Sequence, residues 1–564
     1  MDYDLAIRGG TVVDGTGAPG ARADLGVKDG RIAAVGDVRG SAARTIEADG
    51  RVVAPGFVDI HTHYDAQILW DRMLTISPWH GVTTVLMGNC GFGVAPTRPE
   101  HRNLILRTLE KVEGMSLDAL EAGVGADWPF ETFPQYLDAL DRLGGTAINV
   151  AALVGHTPVR LYVMGEEAVE RAATEDEIAR MRAIVREAVA AGGAGFATSR
   201  APTHVGYAGK PVPSRLADAA EIGEIARALG DVGSGIVQAT AGPGLFFDEF
   251  AEITRATGRP LTWTALLAGM MGPGSHRFML ERSVELLRKG IPVTPQVACR
   301  PLNFDFDMAE PFLFESLPFF APVSAADRPG KKRLYADPSF REQVRAMFDG
   351  GQAGVFRASY DRMVVSLCPL HPELEERRLV DVARERGVHP ADAMLDLALE
   401  SDLATRFRMA VVNFDEDEVA ELLTSRDTVL GLSDAGAHAN QLCDACFSTH
   451  LLGHWVREKG TLALEEAVRM LTSRPAEVAG IRDRGRIALG MPADVVVFDA
   501  ATVGAGRLRR VHDLPAGADR LVADASGVDA VVVNGTIVRE AGRDAVDPEG
   551  PLPGRLLRNG AARA

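Results

Sequence analysis

Two histidines separated by one residue, His61 and His63, stand directly after the short apolar run 57–60. If that run is a β-strand, residues i and i+2 point to the same face, so both imidazoles project from one spot at the strand end. Neutral imidazole is a common ligand of zinc and similar ions. The spacing therefore predicts half of a metal site, although a His-x-His pair alone also occurs as packing or surface histidines.

The neighbouring residues extend this pattern. Residues 53–63 read Val-Ala-Pro-Gly-Phe-Val-Asp-Ile-His-Thr-His, which resembles the signature of the amidohydrolase superfamily, metal hydrolases built on a (β/α)8 barrel. Within it, residues 81–91 and 432–438 are similar to those of the N-acyl-D-amino-acid deacylases (D-aminoacylases). The resemblance runs from the first hairpin to about residue 540. It implies metal-dependent hydrolysis of an amide C–N bond in an N-acyl (D-)amino acid or a similar peptide-like substrate.

Two more residues complete the metal site that the resemblance implies. Cys90 follows the second expected barrel strand and matches the family's metal-bridging cysteine. A thiolate is a strong zinc ligand, whereas a lone cysteine is also often a small buried hydrophobe. Asp434 follows the eighth strand, where it can accept a proton from water and pass it on as general base and acid; a helix N-cap is the alternative. We expect His61, His63, Cys90 and Asp434 to hold one zinc ion, with another divalent metal left open.

Strands five and six depart from the family. In the deacylases each of these strands ends in a histidine, and the two histidines hold the tighter metal with the cysteine. Here strand five carries Gln238, and strand six reads Leu-Thr-Trp-Thr over residues 261–264. Glutamine and threonine are poor zinc ligands beside imidazole. Because the usual two-histidine pocket is missing, a binuclear site is not expected. Strand four, ending Thr198-Ser199-Arg200, also lacks the bridging lysine or glutamate of many superfamily members, which together with Cys90 argues against a hydantoinase-like site. We therefore expect about one ion per chain.

Several residues near the strand ends are candidates for substrate contact. His156 and Arg160 follow strand three in a segment that resembles the family's Gly-His motif, and Arg200 ends strand four. An arginine could hold a substrate carboxylate bidentately, or could equally brace a loop through an ion pair. His204 is a candidate contact to substrate or metal. His438 could meet the substrate or brace Asp434.

These residues need a scaffold that brings strand ends together. Apolar strands alternate with helical patterns over residues 56–480, which is typical of parallel βα units, and active sites of such barrels lie at the carboxyl ends of the strands. Thr174 and Glu177 predict a capping box at the start of a helix over 174–190. The eight candidate strands are 57–60, 82–87, 147–154, 194–198, 235–239, 261–266, 291–297 and 428–432.

The two ends of the chain have a different sequence pattern from its middle. Residues 1–55 and 481–564 contain short alternating runs and tight turns, which predict antiparallel β-structure. We therefore predict the α/β class: a (β/α)8 TIM-like barrel over 56–480, plus a small composite β-sandwich made by both termini. Residues 301–427 are too long for a simple βα connection and are read as an insertion, either over the barrel mouth or as a peripheral subdomain.

Composition narrows the functional class. The 564 residues carry a formal charge of −17, which disfavours nucleic acid and anionic membranes as partners. The five cysteines are odd in number and unevenly spaced, so no disulfide framework is expected. With an acidic start and no long apolar run, we expect no signal peptide and no membrane span, hence a cytoplasmic protein. The expected partner is a small-molecule substrate with a carboxylate; a homo-oligomer is left open.

Three functions remain compatible with these residues. The first is a hydrolase of N-acyl amino acids or peptide-like amides. The second is a hydrolase of a cyclic amide or imide, or of another C–N bond, because the site lacks two ligands of the family. The third is a degenerate barrel that binds a ligand without turnover. Retention of His61, His63 and Asp434 speaks against the third function, since such residues are costly to bury unless a metal pairs them.

Overall fold

The computed structural model describes residues 1–315, 317–350 and 360–562. Parts of the predicted insertion, residue 316 and residues 351–359, lie outside the described residues, as do the last two residues of the predicted sandwich. No described helix is long and apolar enough to cross a membrane.

The strands of the described chain follow one another in this order: β1 Tyr3–Val12, β2 Ala21–Lys28, β3 Arg31–Gly36, β4 Ala42–Glu47, β5 Val52–Pro55, β6 Phe57–Thr62, β7 Val82–Met87, β8 Asn149–Gly155, β9 Gly195–Ser199, β10 Ile236–Thr240, β11 Leu261–Thr264, β12 Val293–Val297, β13 Leu302–Asp307, β14 Met363–Leu367, β15 Arg406–Val412, β16 Val429–Leu430, β17 Val495–Phe498, β18 Gly504–Val511, β19 Arg520–Ser526, β20 Val528–Val533, β21 Thr536–Glu540, β22 Arg543–Asp544, β23 Leu557–Arg558 and β24 Ala561–Ala562.

The α-helices are α1 Arg102–Glu113, α2 Leu117–Val124, α3 Phe133–Asp141, α4 His156–Met164, α5 Glu175–Ala190, α6 Ala219–Val232, α7 Phe247–Thr257, α8 Ser275–Arg288, α9 Ala321–Ser324, α10 Arg328–Ala336, α11 Pro338–Asp349, α12 Leu379–Arg386, α13 Pro390–Glu400, α14 Glu416–Leu423, α15 Phe447–His450, α16 Leu464–Leu471 and α17 Ser473–Val478. The predicted capping box is present at α5, where the Thr174 side chain accepts from the backbone of Glu177 and the Glu177 side chain accepts in return.

Eight parallel strands form the barrel sheet, in the order β6, β7, β8, β9, β10, β11, β12, β16. The sheet closes between its first and last strands: Thr62 bridges Ala435, and the backbone N–H of His63 donates to the carbonyl of Ala435 at 2.7 Å. All eight predicted strands are present, and each end lies within two residues of its predicted position. The eighth strand spans only Val429–Leu430 because Leu432 and Asp434 adopt positive φ of 62° and 47°, which breaks the extended backbone.

A nine-stranded sheet joins the two ends of the chain. Its path runs β22, β21, β20, β17, β5, β1, β2, β3, with β4 paired to β1. Strand β17 lies antiparallel to β5, so Val496 from the carboxyl-terminal segment pairs with Ala54 just before the barrel begins. The predicted fold class, a TIM-like barrel with a composite β-unit from both termini, is confirmed. The domain boundaries at residues 55 and 480 stay a prediction.

The predicted insertion carries structure of its own. Strands β13, β15 and β14 form a three-stranded antiparallel sheet, and helices α9 to α13 pack on it around a separate apolar core. Phe306, Phe314 and Phe320 are fully buried members of that core. The insertion reaches the barrel mouth, where the Phe304 ring lies edge-on to His438 with centroids 6.2 Å apart.

Candidate metal centre

His61 and His63 stand at the carboxyl end of β6, and both side chains are buried. Together with Cys90 they form the only group of three His, Cys, Asp or Glu residues in the described chain whose candidate ligand atoms all lie within 4.8 Å of one another. Strand geometry therefore brings together the residues that the His-x-His spacing and the strand-two cysteine indicated.

The outer nitrogen of each imidazole faces a different partner. His61 Nδ1 lies 2.8 Å from Oε1 of Gln296 on β12, and His63 Nδ1 lies 3.2 Å from Oε1 of Glu113 at the end of α1. An amide oxygen only accepts hydrogen bonds, so Nδ1 of His61 carries the proton. The lone pair of His61 Nε2 is then left to face Cys90 Sγ, 3.4 Å away.

Cys90 sits in a tight turn after β7 with a φ of 57°. Its backbone N–H donates to Gln238 Oε1 at 2.7 Å, which secures this left-handed conformation from β10. Burial alone raises the pKa of the thiol, but His61 and His63 outweigh burial and lower that pKa to about 7. A thiol with this pKa ionises readily, as a metal ligand must.

Asp434 completes the cluster from the strand-eight end. Its Oδ1 lies 3.3 Å from His61 Nε2 and 3.6 Å from His63 Nε2. Burial raises the pKa of this carboxyl group, but the two histidines outweigh burial and hold the pKa well below its usual range. Asp434 is therefore a carboxylate near neutral pH. Burial by itself would lower the pKa of both histidines. Cys90 raises the pKa of His61 and Glu113 raises the pKa of His63, and the net shift of each pKa is upward.

The polar side chains of strands five and six hydrogen-bond to one another, to the backbone of Cys90 and to Gln296. Gln238 Nε2 donates to Thr264 Oγ1 at 3.4 Å, and Thr264 Oγ1 donates to Thr240 Oγ1 at 3.1 Å. Thr262 accepts from Gln296 Nε2 at 3.2 Å. A neutral hydrogen-bond network thus occupies the positions at which the resemblance implies two histidines.

Two of the expected substrate contacts are buried in α4, the helix that begins directly after β8. His156 and Arg160 are completely buried and both meet Glu221 of α6: His156 Nε2 is 3.1 Å from Glu221 Oε1, and Arg160 Nη1 donates to the same oxygen. Burial lowers the pKa of His156. Burial raises the pKa of Glu221, but His156 and Arg160 outweigh burial and hold that pKa below its usual value. In this structure the Arg160 guanidinium is paired inside the protein.

The other expected contacts lie at the mouth. Arg200 is half-buried; its Nε donates to the carbonyl of Pro243 at 3.0 Å and its Nη1 to that of Arg215 at 2.5 Å.

His204 Nδ1 is 2.6 Å from Ser199 Oγ, and its ring lies 5.0 Å from that of Phe92. Burial lowers the pKa of His204 to about 3, so it is neutral. His438 is half-buried on the loop that carries Asp434.

Sequence reasoning missed Gln296 and Glu113. Gln296 lies within the expected strand 291–297, so a search for polar residues at strand ends could have found it. Glu113 carried no such signal, because it lies at a helix end 50 residues from His63 along the chain and meets it only in the folded protein.

Residues 44–329 and 335–539 match the model of the amidohydrolase family. The chain belongs to this family.

Individual relatives are similar over nearly the full length. A D-aminoacylase of Alcaligenes xylosoxydans xylosoxydans is 33% identical over 504 residues, covering 89% of each chain. A solved D-aminoacylase, described by its binuclear metal centre with one-metal activation and second-metal attenuation, is 28% identical with a TM-score of 0.67, covering 99% of this chain and 100% of that chain. The N-acyl-D-glutamate deacylase of Bordetella bronchiseptica, solved with zinc and a phosphonate mimic of the tetrahedral intermediate, is 28% identical with a TM-score of 0.66 and the same coverage.

Proposed function

We propose that this protein hydrolyses the amide C–N bond of an N-acyl (D-)amino acid or a similar small peptide-like molecule. It is a metal-dependent amidohydrolase, a hydrolase acting on C–N bonds other than peptide bonds. The observation that carries the proposal is the convergence of His61, His63, Cys90 and Asp434 at the carboxyl ends of the barrel strands, where barrel enzymes place their chemistry. The relatives named above act on N-acyl-D-amino acids, which supports the same substrate class.

The donor set fits zinc. Two imidazoles, a thiol of lowered pKa and a carboxylate meet within a few ångströms and are buried or partly buried. Nitrogen, sulfur and carboxylate oxygen are the ligands that zinc takes in proteins. We propose one zinc ion per chain, because the positions on strands five and six are filled by Gln238, Thr262 and Thr264 in hydrogen bonds of their own. In this respect the chain would differ from its binuclear relative.

When bound, the ion supplies Lewis-acid chemistry, polarising the scissile carbonyl and lowering the pKa of water. Side chains of the protein carry out the proton transfers. Asp434, ionised between His61 and His63, accepts the proton of the attacking water on its carboxylate and later delivers it to the leaving amide nitrogen. His61 and His63 hold that carboxylate in place. The single carboxylate thus serves both proton transfers.

We propose that substrate lies across the mouth between His204 and His438. Both are half-buried, and each contacts a phenylalanine, Phe92 and Phe304 respectively. For the substrate carboxylate we favour Arg200, which is partly exposed, over Arg160, whose guanidinium is buried against Glu221. A contact role for His156 and Arg160 stays a prediction.

The proposed function is tested by turnover of a substrate panel with zinc-loaded protein. The panel contains N-acyl-D-amino acids, N-acyl-L-amino acids and cyclic imides, assayed by release of the free amine or ring opening. We expect the highest kcat/KM for an N-acyl amino acid. Turnover of the cyclic imides alone would favour the second function, and no turnover by zinc-loaded protein would favour a binding barrel.

The metal count is tested separately by elemental analysis of the purified chain. We expect about one zinc per chain, loss of activity on chelation, and recovery at one equivalent of zinc. Two tightly held ions per chain would contradict the single-ion proposal.

A further inference from the structure

Glu113 occupies a position that disfavours a carboxylate. It is the last residue of α1, which ends at Gly114 with a φ of 60°. The carboxyl end of a helix carries partial negative charge, which repels an acidic side chain. The Glu113 side chain is also only 6% exposed, and a buried carboxylate is costly unless it is paired. A residue that is unfavourable both for the helix dipole and for burial is expected at a functional site.

The compensating partner of Glu113 is His63. Glu113 Oε1 lies 3.2 Å from His63 Nδ1, and within the described chain no lysine or arginine forms an ion pair with this glutamate. His63 Nδ1 has no hydrogen-bond partner in the described chain, so the Glu113 carboxylate acts on the imidazole through its charge at this short distance. The carboxylate therefore favours a proton on Nδ1 and leaves the Nε2 lone pair on the side of Asp434, 3.6 Å away.

The same arrangement recurs at the other histidine with a neutral partner. Gln296 Oε1 holds Nδ1 of His61 at 2.8 Å and is itself anchored through Thr262. Two elements that are distant in sequence, α1 and β12, thus each contact one of two adjacent imidazoles. Both Nε2 atoms consequently face the same oxygen of Asp434.

The end of α1 also contacts the loop that carries Asp434 and His438. The backbone N–H of Ala439 donates to the carbonyl of Glu113 at 3.1 Å. A Cβ on Gly114 would lie 3.1 Å from Cα of His438, so the helix end packs directly on that loop. One helix end therefore contacts both the His63 side and the Asp434 side of the site.

We propose that Glu113 is a positioning residue of the hydrolytic site, which holds the His63 imidazole with Nδ1 protonated so that Nε2 faces the ion and Asp434. Its role is more than packing, because an apolar side chain at the helix end would fill the space without orienting the ring. An anionic partner also makes the imidazole a stronger donor to a metal than the neutral Gln296 does for His61. This inference rests on the proposed metal site and function.

The test compares Glu113→Gln and Glu113→Ala with Glu110→Gln, a matched loss of one charge at a partly exposed position one turn earlier on the same helix. Zinc alone is the probe: its affinity for the metal-free full-length chain is measured by competition with a chelating dye. Loss of a carboxylate that supports a ligating histidine lowers metal affinity by about 10- to 100-fold. We expect this loss for Glu113→Ala, a smaller loss for Glu113→Gln because its amide oxygen still places partial negative charge beside Nδ1, and no change for Glu110→Gln.

Two further measurements separate positioning from packing. The absorption of the cobalt-substituted protein should change in Glu113→Ala, whereas the unfolding temperature of the metal-free Glu113→Gln protein should stay within a few degrees of wild type. For turnover we expect kcat to fall with KM nearly unchanged. Wild-type zinc affinity in both variants, or equal losses in Glu113→Gln and Glu110→Gln, would overturn the proposal. If Glu113→Ala does not fold, the near-isosteric Glu113→Gln decides alone.

Failure of the proposed function would look different. Wild-type protein would then bind zinc but turn over no member of the substrate panel, and Glu113→Gln would still bind zinc more weakly than wild type. The reverse result, turnover of N-acyl amino acids with unchanged zinc affinity in the Glu113 variants, would overturn only the role of Glu113.

Discussion

At the scale of single residues, three members of the site adopt backbone conformations that side chains disfavour. Cys90, Asp434 and His438 have φ of 57°, 47° and 49°, although none is glycine. Such conformations cost of order 1–3 kcal/mol each and persist where surrounding contacts hold them. Here Gln238 holds Cys90, and the closure of the barrel holds the Asp434 loop. The strain coincides with the residues that the proposed reaction needs.

The role of Asp434 gives the sharpest prediction at this scale. Asp434→Asn preserves the shape of the side chain but removes the proton acceptor, so we expect kcat to fall by about 10²- to 10⁴-fold or more, since loss of general base catalysis costs this much. The measurement is kcat on the best panel substrate at saturating zinc. Asp176→Asn, an exposed change on α5, should keep normal turnover. Normal kcat in Asp434→Asn would remove this residue from the mechanism.

At the scale of elements, a buried polar cluster joins the amino end of β8 to the carboxyl-terminal segment. Asp494 accepts from Asn149 Nδ2 at 2.8 Å and pairs with Arg484 Nε at 2.5 Å, while the backbone N–H of Asn534 donates to it at 2.7 Å. Asn149 begins β8, whereas His156 follows its other end. The cluster therefore lies at the end of the barrel away from the site and joins the carboxyl-terminal segment to the barrel.

Removal of Asp494 should consequently affect stability and not chemistry. Asp494→Ala removes the buried partner of the Arg484 guanidinium and leaves it only the partly exposed Asp483 at 2.9 Å. Loss of one partner of a buried ion pair costs about 3–5 kcal/mol. We expect a fall of several degrees in unfolding temperature by circular dichroism, with kcat close to wild type. Asp544→Ala breaks the exposed pair with Arg539 and serves as control, since exposed pairs contribute about 0–1 kcal/mol. Equal shifts in both variants would show that the cluster stabilises no more than a surface pair.

At the scale of the whole molecule, buried histidines link distant parts of the chain and make its stability sensitive to acid. His80, just before β7, has Nδ1 2.7 Å from Thr449 Oγ1 and Nε2 3.0 Å from the carbonyl of Ala523, and burial lowers its pKa to about 4. The unfolded chain binds this proton near pH 6.5, and the folded chain only near pH 4. Stability from neutral His80 is therefore present above pH 6.5 and is lost as the pH falls towards 4.

We expect His80 to contribute a loss of about 2 kcal/mol between pH 7.5 and pH 5, since a shift of one pKa unit corresponds to about 1.4 kcal/mol. His80→Gln keeps polar atoms at the site but cannot titrate, so its unfolding free energy should fall less over the same pH interval. Buried Asp59 and Asp65, whose pKa burial raises to about 7, act in the opposite sense in both proteins. The difference between the two pH profiles isolates His80, and parallel profiles would contradict its role.

The sequence by itself determined which residues stand at strand ends. Alternation of apolar strands with helices indicated the barrel. The identities of His61, His63, Cys90 and Asp434 indicated metal chemistry, because strand periodicity and family motifs can both be recognised in short stretches of sequence. Local pattern also located the α5 capping box to the residue.

Only the tertiary structure decided which distant groups meet. Arg160 was a candidate substrate contact from sequence, and only the fold shows that Glu221, 61 residues away, lies against its guanidinium. Gln238 looked like a missing ligand, whereas the fold uses it to hold the backbone of Cys90 from another strand. Glu113 could not be predicted as a partner of His63, because the two residues meet only in the folded chain. Periodicity fixes the direction of a side chain within its own element, but the pairing of elements that closes a barrel depends on packing over the whole chain.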